Sequence, residues 1–180
     1  VNRKEEEKQE LVSLVKLMRR NLELAEQLCV TLAEELDFVK TYIDLERRSL
    51  GATFHPVIEI AGDVLPESVW LPSMMIQIPV ENSVKHALRG KEGKRNLWIA
   101  ADRREGGVCI RITDNGGGYH PESRNRGTGT GMKVIMQTIQ ILNMKNQAAI
   151  DISVHNVTLP SGETGCEVTF LLPDKYDYRI

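Results

Sequence analysis

A chain of 180 residues with 41% apolar and 27% charged side chains has the composition of a globular protein, with room for one ordinary core and a helical appendage. Its formal net charge of −2 gives no electrostatic reason to expect nucleic acid as a partner. No apolar run is long enough to cross a bilayer, and Cys29, Cys109 and Cys166 form no CxxC pair, so they read as reduced thiols rather than a disulfide frame or a metal site.

The first 50 residues contain neither proline nor glycine and are rich in Glu, Lys, Leu and Arg. Leu11, Val15, Met18, Leu22, Ala25 and Cys29 recur in steps of four and three, the seam of an amphipathic helix or short coiled coil. Val30-Thr31 interrupts it, and Thr31-Leu32-Ala33-Glu34 has the form of a capping box that starts a second helix. That helix is expected to turn Leu32, Leu36, Val39 and Ile43 inward and to stop at Gly51. The charged flanks favour a dimerisation stalk over a plain helical core.

Beyond Gly51 the pattern changes. Residues 54–60 read as a strand. Trp70-Leu71-Pro72-Ser73 is expected to open a helix with Pro72 in its first turn, and Pro79 to kink it. Residues 97–101 and 108–113 read as strands of a hairpin turning through 103–107. A helix is expected over about 129–143, with Met132, Ile135, Met136, Ile139 and Leu142 on one side. Residues 150–157 and 166–172 form a closing hairpin over Pro160-Ser161-Gly162. The fold class is α+β: a two-layer α/β sandwich with a mixed, mainly antiparallel sheet covered on one face by helices. The expected division is 1–50, stalk and linker helices, and 51–180, the globular domain.

Three segments carry chemistry. In Val80-Glu81-Asn82-Ser83-Val84-Lys85-His86, the side chains of Asn82, Lys85 and His86 share a helix face, flanked by Glu81. Mg²⁺ bound with a nucleotide keeps several waters and takes few protein oxygens, so the Asn82 carbonyl suits it as a single ligand. Lys85 can meet phosphate as a point charge, His86 can donate to a phosphate oxygen, and Glu81 can take a proton from a nucleophile or orient it. Asp114 closes a strand ahead of Gly116, Gly117 and Gly118, where a carboxylate can accept a hydrogen bond from the amine of adenine and glycine lets the backbone approach a ring. Gly127, Gly129 and Gly131 precede a helix whose N–H groups favour phosphate, without the ending of a Walker A loop. Together they make an ATP site.

Glu81-Asn82-x-x-Lys85-His86, Asp114-x-Gly116-x-Gly118 and Gly127-x-Gly129-x-Gly131 resemble the N, G1 and G2 boxes of the Bergerat-type ATP-binding fold, shared by histidine kinases, gyrase, Hsp90 and MutL. The detailed resemblance is to LytS-type sensor histidine kinases, in which Pro72, Gln77, Pro79 and Val80-Glu81-Asn82 fall in the expected pattern. Glu34-Glu35-Leu36-x-x-Val39-x-x-Tyr42-x-x-Leu45-Glu46-x-Arg48 looks like their linker helix. The resemblance implies transfer of the ATP γ-phosphoryl group to a histidine and on to the receiver domain of a response regulator. It implies Asn82 on Mg²⁺, Lys85 and His86 on phosphates, Glu81 beside the reacting histidine, Asp114 on the adenine amine, Gly116 and Gly118 along the base, and Gly127, Gly129 and Gly131 in a short lid. It also implies a homodimer through the N-terminal helices and a cytoplasmic domain of a membrane-anchored bacterial sensor.

Two positions depart from that pattern. None of His55, His86, His120 and His155 stands in the Asn-Pro-His-Phe context of the family's phosphoacceptor, which is expected upstream of Val1. The last helix ends in Asn143-Met144-Lys145-Asn146, where relatives carry a glycine-bearing turn. The alternatives are a non-catalytic nucleotide-binding or dimerisation module, and an Hsp90-like or MutL-like ATPase.

Overall fold

Thr31 ends a three-residue strand, β1 (Cys29–Thr31), and turns the chain at once into α1 (Leu32–Leu50). The capping box is present: the Thr31 hydroxyl accepts the Glu34 N–H at 3.2 Å, and the Glu34 carboxylate accepts the Thr31 N–H at 2.8 Å. Such a cap is worth about 1 kcal/mol, because it partners donors that the helical ladder does not reach. Leu32, Leu36, Val39 and Ile43 are all buried, and Gly51, at φ 73°, ends the helix. The computed structural model describes residues 27–120 and 130–179, with isolated positions (3, 6, 7, 9, 11, 12 and 15) of the segment before them.

The remaining strands are β2 (Phe54–Ile60), β3 (Trp70–Pro72), β4 (Arg95–Arg104), β5 (Gly107–Asp114), β6 (Asp151–Thr158) and β7 (Thr164–Pro173). Five of them form one sheet in the order β2-β4-β5-β7-β6, parallel between β2 and β4 and antiparallel elsewhere. The parallel step requires a crossover, and α2 (Gln77–Asn82) lies within it; α3 (Thr130–Met144) precedes β6. Alternation along the strands sends Leu97, Ile99, Ala101, Val108, Ile110, Ile112, Phe170 and Leu172 to one face. There they share a core with Val39, Val80, Val84, Ile135 and Ile139 from the helices. This is the expected two-layer arrangement. Both predicted hairpins are present, the first tightened to a Glu105-Gly106 connection with Gly106 at φ 79°.

Several expectations are corrected. Trp70–Pro72 does not open a helix; it pairs antiparallel with β1, Cys29 opposite Pro72 and Thr31 opposite Trp70, as a second small sheet. Cys29 therefore leaves the helical seam, because its backbone is committed to β1. Pro72 ends a strand, and the helix begins at Gln77. Pro79 falls in the first turn of that helix, where a missing N–H costs little. The ladder widens later instead: residues Ser83–Leu88 are π-helical, and the Arg89 N–H donates to the Val84 carbonyl at 3.0 Å. On α3, Ile135, Ile139 and Leu142 are buried but Met136 is 43% exposed, since the inward stripe is narrower than expected. Of the stalk seam, Leu11 and Val15 are exposed helical positions, whereas Met18, Leu22 and Ala25 lie outside the described residues.

The end of α3 has a use for its asparagines. Asn143 Oδ1 accepts from the Tyr176 hydroxyl at 2.6 Å, and Asn146 Oδ1 accepts the Asp177 N–H at 2.7 Å. Two side-chain amides thus fasten the C-terminal tail where a glycine turn was expected. Among the described residues no helix is long and apolar enough to cross a membrane, and none of Cys29, Cys109 and Cys166 is joined in a disulfide.

Candidate functional site

The helix that begins at Gln77 is the common wall of the site. Gly131, in the first turn of α3, lies so close to Ile78 that a Cβ built on it would stand 2.8 Å from Ile78 Cγ2. The Ser83 hydroxyl donates to Asp114 Oδ2 at 2.8 Å. A Cβ on Gly116 would stand 2.4 Å from that of Ala87. Ile78, Ser83 and Ala87 therefore hold Gly131, the Asp114 carboxylate and Gly116 against one helix. With about 100° between successive α-helical residues, Asn82 falls on the arc between Ile78 and Ser83, the sides that meet Gly131 and Asp114, and His86 follows it one wider turn on. Of the predicted residues Asn82, Lys85, His86, Asp114, Gly116, Gly118 and Gly131, each lies on this helix or on a segment adjoining it; Gly127 and Gly129 lie outside the described residues.

Asn82 and Glu81 are half-buried, and Lys85 and His86 are exposed. Glu81 is held by its neighbours: Gln77 Nε2 donates to Oε1 at 3.2 Å, and Lys85 Nζ lies 3.7 Å from Oε2. Lys85 is about half exposed, so this ion pair is weak and the ammonium is not tied down. The wide turns at Ser83–Leu88 begin directly after Asn82, and such widened helical turns recur at functional sites.

Asp114 is 3% exposed, and its carboxylate is oriented from two sides: Ser83 at Oδ2 and the Gly116 N–H at Oδ1, 2.9 Å away. Gly118 has φ 86°, and a Cβ there would meet Asn156 Oδ1 at 2.8 Å, so backbone conformation and space both require glycine. Asn156 accepts the Tyr119 N–H and donates to the Tyr119 carbonyl at 3.1 Å, which fixes the chain as it leaves the loop.

Sequence reasoning missed Ser83 and Asn115. Ser83 and Ala87 form a pair of small residues four apart, a signal that something packs closely on that side. Asn115 is a residue common in turns and carries no such signal. It is 1% exposed, accepts the Asn96 N–H at 2.8 Å, and donates to the Lys94 carbonyl at 3.0 Å and to Glu163 at 3.1 Å. Glu163 also receives Lys91 at 2.9 Å and Ser161 at 3.1 Å, so the β6–β7 turn is tied to the glycine loop. The Lys91 hydrogen bond, followed by those of Asn115 and Ser161, holds the Glu163 carboxyl down to about 2. A depressed carboxylate pKa stabilises the fold above its unfolded value, near 4.5, and that stability is lost as pH falls toward about 2. Glu163→Gln should therefore lower the urea midpoint by a constant amount above about pH 5, and the gap to the parent should close on acidification toward pH 2.

Among the described residues no three His, Cys, Asp or Glu side chains converge as a metal cage. The residues present fit a Mg²⁺ that arrives with phosphates: a neutral amide oxygen on Asn82, with no hydrogen bond to any described residue, beside the ammonium of Lys85, which is only loosely paired with Glu81.

Residues 72–176 match the family model described as histidine kinase-, DNA gyrase B-, and HSP90-like ATPase, and residues 1–54 match a histidine kinase model. The chain is similar to the sensor protein LytS of Bacillus subtilis (strain 168), 29% identical over 175 residues, covering 91% of this chain and 28% of that protein. It is also 27% identical over 176 residues to the sensor protein LytS of Bacillus anthracis, covering 92% and 28%. The chain thus spans little more than a quarter of the length of these relatives, which bear out the LytS-type resemblance. Among solved structures, the histidine kinase domain of the Erythrobacter litoralis EL346 blue-light activated kinase superposes with a TM-score of 0.57 at 13% identity, covering 91% of this chain and 74% of that one. Histidine kinase ThkA, solved in complex with response regulator protein TrrA, gives 0.52 at 12% identity, covering 91% and 48%. At such identities the likeness speaks for the fold.

Proposed function

Because this chain belongs to the histidine kinase-, DNA gyrase B-, and HSP90-like ATPase family, we propose that it is the catalytic ATP-binding region of a two-component sensor histidine kinase. The observation that carries this reading is the convergence of Gly116, Asp114 and Gly131 on the one helix that bears Asn82, Lys85 and His86. Asp114 takes the adenine amine, with Gly116 and Gly118 along the base. Lys85 and His86 meet the phosphates, and Gly127, Gly129 and Gly131 belong to the lid over them. Asn82 would hold Mg²⁺, which when bound neutralises phosphate charge. Glu81, oriented by Gln77, accepts the proton or the hydrogen bond of the attacking imidazole. Catalysis by such a site is positioning and charge neutralisation.

The same reading assigns residues 1–50 to stalk and linker helices that bring two copies together, with exposed Leu11 and Val15 as contacts between them. It makes a response-regulator receiver domain the next acceptor and a membrane-anchored sensor the setting. The test is to mix the chain with Mg²⁺, labelled ATP and a separately made helix bearing the Asn-Pro-His-Phe motif. Acid-labile, alkali-stable phosphate on that helix is the expected result. Binding without transfer would replace the proposal with a non-catalytic module, and steady hydrolysis without a labelled acceptor would replace it with an HSP90-like ATPase.

A further inference from the structure

The linker helix holds carboxylates where a surface helix has no need of them. Glu35 on α1 is fully buried. Its carboxylate accepts the backbone N–H groups of Met74 at 3.2 Å, Ile76 at 3.2 Å and Gln77 at 3.1 Å. Gln77 is the first residue of the helix that carries the site, Ile76 is its N-cap and Met74 lies two residues before, and that helix has no cap of its own, since Ile76 makes no side-chain hydrogen bond. Met74 is held at φ 69°, a conformation non-glycine residues avoid, and Glu35 bonds its N–H. Burial pushes the Glu35 carboxyl up in pKa, and the three N–H donors pull it back.

Glu46, on the same helix about three turns on, is 9% exposed and pairs with Arg89 at 2.9 Å. Arg89 follows the wide turns directly. Tyr42 is buried between the two carboxylates; burial first, then the charges of Glu46 and Glu81, push its hydroxyl up in pKa. Glu35, Tyr42 and Glu46 lie at spacings of seven and four, so they share one face of α1. That face runs alongside the site helix from its first residue to the end of its wide turns.

We infer that α1 is a positioning clamp: Glu35 and Glu46 grip opposite ends of the nucleotide-binding helix and set where Asn82 and Lys85 stand relative to Asp114. The inference rests on the ATP-binding reading for its consequence, and on hydrogen bonds and burial for its mechanics. Glu35 and Glu46 touch no reacting atom and act only through the helix they hold. The clamp explains why a linker helix shares the core of the domain it precedes.

The test uses the whole chain with Glu35→Gln, which keeps the size of the side chain but replaces one acceptor oxygen by a donor nitrogen. In the absence of nucleotide, amide hydrogen exchange in residues 77–88 should quicken about tenfold, with β4 and β5 unchanged. In calorimetry, Mg²⁺–ATP should bind about tenfold more weakly while adenosine, which reaches Asp114 but has no phosphates, stays within about twofold. Unchanged exchange in 77–88, or equal weakening of both ligands, overturns the clamp. Failure of the parent chain to bind ATP, with the exchange difference intact, would instead remove the ATP reading and leave the mechanics standing. Should Glu35→Gln not fold, the reciprocal exchange decides: Glu46→Arg and Arg89→Glu singly quicken exchange in 77–88, and together they restore it. No restoration in the double variant counts against the clamp.

Discussion

Asn82→Ala should reduce Mg²⁺–ATP affinity by at least about a hundredfold in calorimetry while leaving the melting temperature within about 2 °C of the parent. The two halves of that expectation come from the same observation. The Asn82 side chain is half-buried on the arc between Ile78 and Ser83, yet no described residue hydrogen-bonds to it. Truncation removes no internal partner, so the fold has little to lose. A metal that dehydrates reluctantly and takes one protein oxygen has everything to lose when that oxygen goes, because its waters do not fix it to the wall. Affinity in the presence of EDTA should fall far less than affinity with Mg²⁺. A variant that binds Mg²⁺–ATP as the parent does would remove Asn82 from the site.

Asp114→Asn should weaken ATP by about tenfold or more and narrow the preference for ATP over GTP. The carboxylate receives Ser83 on one oxygen and the Gly116 N–H on the other. An amide offers one oxygen and one NH₂ group, so either Gly116 meets a donor head-on or Ser83 must turn its proton away. At 3% exposure no bulk water compensates for the mismatch. The adenine amine, itself a donor, then meets a surface that has lost acceptor capacity, whereas the O6 of guanine meets one that has gained a donor. Ser83→Ala should produce a weaker form of the same change, since it removes one of the two groups that orient the carboxylate. An unchanged ratio of ATP to GTP affinity in Asp114→Asn would take purine recognition away from this residue.

The sequence made the helices and hairpins legible wherever periodicity was long and punctuated. Thr31 and Glu34 announced α1, and Gly51 marked its end. Alternation across 97–101, 108–113, 150–157 and 166–172 gave the antiparallel ladder. What stayed hidden was set by contacts distant in sequence. β1 is three residues long, and only its pairing with Trp70–Pro72 makes it a strand. The start of the helix bearing Pro79 is expected too early from the sequence; a cap supplied from Glu35, about forty residues upstream, leaves no local signal. The widening at Ser83–Leu88 likewise has no counterpart in the periodicity of the sequence. Asn82, Lys85, His86, Asp114 and the glycines stand out in the sequence because their types are chemically unusual at those spacings. Ser83 and Asn115, which hold the others in place, are common residues and gain their roles from neighbours.

One edge of the five-stranded sheet, β2, carries Pro56 within its span, opposite Leu97 of β4. Proline has no N–H to offer a strand arriving from outside, and it stiffens the rim against the flat geometry that continued pairing would need. The sheet is thereby discouraged from growing past β2, and the protein gains protection against fibrous self-assembly through this flank.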